Sequence, residues 1–376
     1  MSPALPLRQV IHEFHVSPHI PVGGRFDAHT FAATLRESCV EAITLTARCH
    51  FGHMYFDSLR FPDLKHPRLE RDLLREQIEA CRSAGIRVHL YTSVQHDATL
   101  AEREPGWLCV SPDGRILGPP PVATGFNHFL ALNSPYGDFL REHVAELMEL
   151  FVPDGLFLDM LIPQDDASVW TRRQMMAAGL DFTDAAARQR FNVELLHQFM
   201  KETSALVREY RPDASISYNC GHVGPRLREV EDAFTHWEIE SVPGGAWGYS
   251  HFPVTQRYAR TLGKQTFGMT GVFFTAWGDY HSHKPVAALR FETARMLALG
   301  AGCVIGEPTA PDGSMYGHHY RRIGDALRRV EAIEPWCRRA MPRADIAVLT
   351  PEAFGVGGSH LDVPVSLQGA VRMLEE

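Results

Sequence analysis

The stretch LERDLLREQIEACRSAGIRVHLYTS, residues 69–93, joins a helical pattern to a short apolar run. Gly85 suits the end of that helix, and the strand pattern starts directly after it. Upstream lies EAITLTARCHF (41–51), another apolar run of strand length. Two strands linked through a helix make a parallel pair, because parallel strands need a crossover of about a dozen residues or more. The same beat recurs. RQVIHEFHV (8–16), PDGLFLDML (153–161), DASISYN (213–219), AFTHWEIES (233–241), QTFGMTGVFF (265–274) and GAGCVIGE (300–307) supply six more strands. YGDFLREHVAELMELF (136–151) is one of the helices between them. Eight βα units in succession predict an α/β fold, a (β/α)8 TIM barrel spanning residues 1–340. The competing architecture for this pattern is a doubly wound open sheet.

The chain has 376 residues, which suits one barrel of about 250 residues or more with additions. The remainder, 341–376, reads as one strand (ADIAVLT, 344–350) and one helix (SLQGAVRMLEE). Such a piece cannot bury a core alone. It is expected to be a partial α/β segment, the start of a truncated second domain, or to dock on the barrel. A net charge of −8 argues against nucleic acid as a partner. Seven scattered cysteines with no C-x-x-C pair point to reduced thiols and a cytoplasmic setting. The N-terminus lacks a signal-peptide pattern, and no apolar run of about 18 residues suggests a membrane span.

Side chains alternate along a strand, so each strand has a helix-facing set and a barrel-facing set. In the second strand Ile43, Leu45 and Ala47 should pack on helices, and Thr44, Thr46, Arg48 and His50 should point inward, His50 near the mouth. In the fourth, Leu156, Leu158 and Met160 face out while Phe157 and Asp159 face in. In the sixth, Trp237 and Ile239 face out while His236, Glu238 and Glu240 face in. An unpaired carboxylate between strand and helix would cost several kcal/mol, roughly, so an inward course is expected for all three acids. Acids from the fourth and sixth strands can then converge at the C-terminal mouth, where barrel active sites are built. Paired carboxylates in one pocket suit glycosidic bond cleavage: Asp159 as nucleophile and Glu238 as acid/base, with Glu240 one pleat nearer the mouth.

Other candidates cluster after strand ends. Asn219 and His222 follow the fifth strand and could bond sugar hydroxyls. Trp247 and Tyr249 follow the sixth, and Trp277, Asp279 and Tyr280 the seventh; the aromatic rings suit a sugar face. Glu307 ends the eighth strand as a third acid. The Gly- and Pro-rich stretch 94–133 is long enough to cover the mouth. No cofactor signature follows any strand, so dinucleotide and NTP binding are unsupported. No catalytic metal is expected either. His12 and His15 lie three apart, on opposite faces of a strand, and the adjacent histidines of GHHYRR (317–322) diverge by about 100° on a helix.

Several segments resemble, in order, the α-L-fucosidases of glycoside hydrolase families 29 and 151, and a set of related hypothetical glycosyl hydrolases is closer still. They are IHEFHVS (11–17), AITLTARCHFGHMYFDS (42–58), LLREQIEACRSAGIRVHLYTS (73–93), VPDGLFLDM (152–160), HWEIESVPGGAWGY (236–249) and LALGAGCVIGEPTAPDGSM (297–315). The resemblance implies a retaining hydrolase of a terminal sugar, with Asp159 as nucleophile, Glu238 as acid/base and His15 as a sugar ligand. The family's paired histidines are Cys49 and His50 here, so one ligand is absent or moved to Arg48 or His53. The glycine after its nucleophile is Met160. These departures bear on the sugar more than on the catalytic pair. The tail ADIAVLTPEAF is similar to the start of the flavodoxin-like domain that follows the barrel in larger glycosidases. A carbohydrate partner follows, and the resemblance leaves a homo-oligomer open. Two alternatives stand beside this reading: a barrel kept for sugar binding or assembly without turnover, and a glycosidase for another sugar such as a β-galactoside.

Overall fold

The computed structural model describes residues 4–118, 128–245, 247–338, 340–359 and 362–375. Eight strands form one parallel sheet: β1 (Arg8–Glu13), β2 (Ala42–Arg48), β3 (Arg87–Ser93), β4 (Gly155–Asp159), β5 (Ser215–Tyr218), β6 (Trp237–Glu240), β7 (Thr266–Gly271) and β8 (Gly302–Pro308). Hydrogen-bonded neighbours run β5-β4-β3-β2-β1-β8-β7-β6. Every strand thus neighbours the next in sequence, with no reversal of order of the kind a doubly wound sheet requires. The first and last strands, β1 and β8, pair over six residues, Arg8↔Cys303 to Glu13↔Pro308. Between β5 and β6 the contact thins to a parallel bridge from Cys220 to Ile239, and this closes the (β/α)8 barrel.

The helices are α1 (Ala28–Glu37), α2 (Leu73–Ser83), α3 (Ala98–Arg103), α4 (Pro135–Phe151), α5 (Val169–Ala177), α6 (Ala185–Tyr210), α7 (Gly248–Ala259), α8 (Val286–Ala298), α9 (Gly317–Cys337) and α10 (Val365–Glu375). Asp72 caps α2 by accepting from Arg75 N at 3.1 Å, and Gly85 takes φ +74° after its last turn, as the sequence predicts.

Alternation sorts the core into two layers. Val10, Ile43, Leu45, Leu156, Leu158, Trp237 and Ile239 belong to the large layer between strands and helices. Ile11, Tyr91, Phe157, Phe267, Met269 and Val304 fill the barrel interior. One strand departs from the rule. The β2–β3 register shifts between Thr46 and Arg48, which pairs Thr46 with Tyr91 and Arg48 with Thr92. A bulge inserts one residue and reverses the facing of everything after it. Arg48 therefore turns outward, against expectation. It is fully buried, ion-paired with Asp97, bonded to Ser93 O and 3.2 Å from the Tyr136 hydroxyl of α4.

That pair fastens the start of the long segment after β3. Asp97 also caps α3, accepting from Leu100 N at 2.8 Å. Part of the expected mouth cover, 119–127, lies outside the described residues. At the C-terminal end, residues 344–350 run irregularly where a strand was expected. A strand needs a neighbour's ladder, and among the described residues none lies beside it. The tail docks instead: Leu367 and Val371 of α10 pack with Val363 and with Val254 of α7.

Candidate active site

Asp159 ends β4, and its carboxylate is held by three donors. The Tyr91 hydroxyl donates to Oδ2 at 2.6 Å, Asn219 Nδ2 to Oδ1 at 2.8 Å and Met160 N to Oδ1 at 2.7 Å. His50 Nε2 stands 3.5 Å from Oδ2. Asn219 follows β5, one residue beyond the Leu158↔Tyr218 pairing, which sets it level with Asp159. The same Nδ2 donates to Glu240 Oε2, also at 2.8 Å. Asp159 Oδ1 and Glu240 Oε2 therefore lie no farther apart than twice that distance. One amide bridges both carboxyl groups.

The two acids titrate differently. Burial pushes the Glu240 pKa up; the Asn219 hydrogen bond opposes this, the neighbouring Asp159 charge adds to it, and the value reaches about 8. Burial also raises the Asp159 pKa, but hydrogen bonds from Tyr91 and Asn219 pull it back. At neutral pH Glu240 thus holds a proton, while at Asp159 the hydrogen bonds oppose, without cancelling, the upward push of burial. Both keep some access to solvent, 8% for Asp159 and 9% for Glu240.

A second chain of contacts approaches from β1. Glu13 Oε1 lies 3.1 Å from His15 Nε2, and the Trp277 indole N–H donates to Glu13 Oε2 at 2.7 Å. The His15 ring stacks on His50 at 4.0 Å between centroids, and the His50 backbone N–H donates to His15 Nδ1 at 3.1 Å. Burial opposes a charge on His15, but Glu13 and Cys49 together outweigh it and raise the pKa. His96, from the segment after β3, packs edge-on against His50 at 5.2 Å. Asp159, Glu240, Asn219, His15, His50 and Trp277 are thus linked through direct contacts. Trp247 reaches the end of β6 through His251: their rings are 5.8 Å apart, and His251 Nδ1 lies 3.0 Å from Ser241 Oγ.

Other candidates are not brought to this cluster. Glu238 does point inward, but one layer deeper, with 2% exposure and its Oε1 2.8 Å from His236 Nε2. His236 lines a cavity with Arg87, His89, Asp154 and Lys264, all at the N-terminal ends of strands, opposite the mouth. Arg48 is turned away by the bulge. Both ring nitrogens of His222 are engaged, Nδ1 with Thr255 at 2.7 Å and Nε2 with Glu352 at 3.0 Å, so it anchors the tail. The Tyr249 hydroxyl donates to Glu292 of α8 at 3.2 Å, on the helix side of β7. Asp279 accepts from Thr275, Ser282 and His281 N, which folds its own loop. Glu307 faces the helix layer, 2.8 Å from His319 Nδ1.

Sequence reasoning missed Tyr91 and Glu13. Tyr91 was within reach of the alternation rule, since it pairs with inward-facing Phe157. Glu13 gave only the weak signal of a lone acid at a strand end.

The family described as Hypothetical glycosyl hydrolase 6 matches residues 27–160. Among solved structures, the chain is similar to α-L-fucosidase isoenzyme 2 from Paenibacillus thiaminolyticus, with 37% identity and a TM-score of 0.93 over 98% of this chain. The chain spans 56% of that protein's length. It shares its fold with the unliganded α-L-fucosidase AlfC from Lactobacillus casei (14% identity, TM-score 0.55, 87% of this chain and 95% of that one). It also does so with the Thermotoga maritima α-fucosidase in complex with a mechanism-based inhibitor (15% identity, TM-score 0.52, 85% and 59%). The comparison with curated proteins returns no match. By fold and likeness, the chain resembles the α-L-fucosidase-like glycoside hydrolases. Among the described residues no helix is long and apolar enough to cross a membrane.

Proposed function

We propose that this barrel is a retaining glycosidase of a terminal sugar, an α-L-fucoside first, with Asp159 as nucleophile and Glu240 as acid/base. The observation that carries the reading is the Asn219 amide donating to both carboxyl groups at 2.8 Å. Retaining enzymes set their two carboxyls roughly 5–5.5 Å apart, and inverting ones roughly 6.5–9.5 Å. A shared amide favours the shorter spacing. Asp159 attacks the anomeric carbon while the Glu240 proton passes to the glycosidic oxygen, and the C–O bond to the leaving group breaks. Glu240, now a carboxylate, takes a proton from water. The water oxygen then bonds to the anomeric carbon and Asp159 leaves. The raised pKa of Glu240 suits the first step, because a general acid must arrive protonated. His15, His50 and Trp277 are placed to meet sugar hydroxyls and ring faces.

The test is hydrolysis of 4-nitrophenyl α-L-fucoside, with NMR of the first-formed anomer. The expected product is α-L-fucose, and Asp159→Asn is expected to cut kcat by about three orders of magnitude or more. Full activity in Asp159→Asn sinks the assignment. Saturable binding without release of nitrophenol moves the chain to the sugar-binding alternative. Turnover of a β-galactoside alone keeps the two-carboxylate chemistry and changes the sugar.

A further inference from the structure

Beside the end of β8, away from the carboxylate pair, three imidazoles converge. His318 and His319 open α9, and His283 lies in the loop between β7 and α8. One ring nitrogen of each lies within 4.8 Å of one nitrogen of the other two. Ring centroids are 4.2 Å apart for His318–His319, 4.9 Å for His283–His319 and 5.1 Å for His283–His318. Adjacent histidines on a helix were expected to diverge. Here the pair sits in the first turn with its rings drawn together, and the third member comes from a distant loop that no spacing rule reveals.

His319 is the informative member. It is 3% exposed, and its Nδ1 lies 2.8 Å from Glu307 Oε1. Its Nε2 is buried with no hydrogen-bond partner. In the tautomer that donates Nδ1–H to Glu307, Nε2 carries a lone pair. A buried acceptor without a donor is costly, and native structures rarely leave one. The arrangement is that of a metal-binding histidine whose far nitrogen is oriented by a carboxylate. Thr309 completes it, donating to Glu307 Oε2 at 2.9 Å.

We propose that His283, His318 and His319 bind a divalent transition-metal ion, Zn2+ foremost, which ties the Trp277 loop to the start of α9. Three neutral imidazoles with a water in the fourth position suit Zn2+ and its borderline neighbours, and not Mg2+ or Ca2+, which take oxygen ligands. Zn–N bonds of about 2.0–2.1 Å need the three nitrogens within about 4 Å of one another. His319 is fixed by Glu307, while exposed His283 and half-buried His318 have room to close the difference. The ion's effect is local order. The loop from 272 to 285 also carries Trp277, whose indole reaches Glu13 at the candidate sugar site. Fixing His283 therefore fixes one wall of that site from outside it.

The full chain, stripped with a chelator and dialysed, is titrated with Zn2+ against a chromophoric competitor. One equivalent is expected to bind and to raise the melting temperature, with no comparable response to Mg2+ or Ca2+. His283→Ala and His318→Ala, both on accessible side chains, should each weaken binding by about tenfold or more and abolish the thermal shift. Glu307→Gln, which touches no ion, should weaken it by about 10–100-fold. A melting curve of each variant without metal separates lost binding from lost folding. Equal Zn2+ affinity in the wild type and the His283→Ala/His318→Ala double variant overturns the site, as does no binding by the folded wild type.

Discussion

Glu240 has a sign that can be worked out. Its ordinary pKa is near 4.5, and burial with the Asp159 charge lifts it to about 8. Below about pH 4.5 folded and unfolded chains both hold this proton, and it contributes nothing to pH dependence. Between about 4.5 and 8 the unfolded chain has lost the proton and the fold keeps it. Stability then falls with rising pH, by about 1.4 kcal/mol per unit at most. Above about 8 both are ionised and the loss is complete. Glu240→Gln should remove this slope, so its melting temperature should gain on the wild type between about pH 5 and 8. Parallel melting profiles would contradict the placement. The same proton sets the alkaline limb of kcat/KM, expected near pH 8 in the wild type; Glu240→Gln should spare substrates with good leaving groups more than poor ones. Glu238→Gln, at the deeper layer, should leave kcat within about threefold, since it meets no substrate. Met160 offers a further residue-scale test. It takes φ +60°, a conformation that costs an L side chain roughly 1–2 kcal/mol. Met160→Gly gives back part of this in unfolded-state entropy, so a net gain of about 0.5–1 kcal/mol in chemical denaturation is expected. What the sequence could not say at this scale was depth. Alternation places Glu238 and Glu240 on one face with Glu240 nearer the mouth, but which of them is level with Asp159 depends on how β6 is set along the barrel, where Glu238 pairs with Phe267 and Glu240 with Met269.

At the scale of elements, the bulge in β2 shows where pattern reading stops. Ile43 and Leu45 obey the alternation and are fully buried on the helix side. Past Thr46 one extra residue inverts the phase. Arg48, expected to meet a sugar, becomes a strut between β2, α3 and α4. His50 reaches the mouth all the same, stacked on His15. No composition signal marks the bulge, because it arises from pairing with β3, a non-local fact. The strut makes a prediction of its own. Arg48 and Asp97 are both fully buried, and removing one partner strands the other. Arg48→Ala should destabilise the fold by about 3–5 kcal/mol in urea unfolding. It should also weaken sugar binding, since His96, next to Asp97, packs on His50. A variant as stable as the wild type would show that the pair is dispensable. The tail teaches the complementary lesson. The pattern of residues 344–350 suits a strand, but strand is a property of pairs, and the chain here finds its anchor in Glu352 against His222 instead.

For the whole molecule, the eight-strand beat was legible because each strand and helix carries its own periodicity, and order along the chain became order around the barrel. The unevenness of the closure was not legible. β5 and β6 have four residues each, and among the described residues they meet through one bridge, with Thr235 N donating to Ile216 O at 3.0 Å and Glu240 N to Cys220 O at 3.1 Å. Elsewhere in the barrel β2 and β3 pair over six positions. The candidate pair straddles the thin seam: Asn219 follows β5, Glu240 ends β6, and the Asn219 amide crosses between them. A seam with few backbone hydrogen bonds opens locally at lower cost than a full ladder, and amide exchange reports that cost. Thr235 and Glu240 amides should therefore exchange ahead of those of Leu45 and Leu90, by about a hundredfold or more if the openings differ by about 3 kcal/mol. A sugar that engages Asp159 and Glu240 together spans the seam, so saturating fucose should slow exchange there and leave β2 and β3 unchanged. Uniform exchange around the barrel would mean that the side-chain bridge already closes the seam as firmly as a strand ladder. Protection by fucose at β2 rather than at β5 and β6 would place the sugar away from Asn219, and the carboxylate pair would lose its substrate.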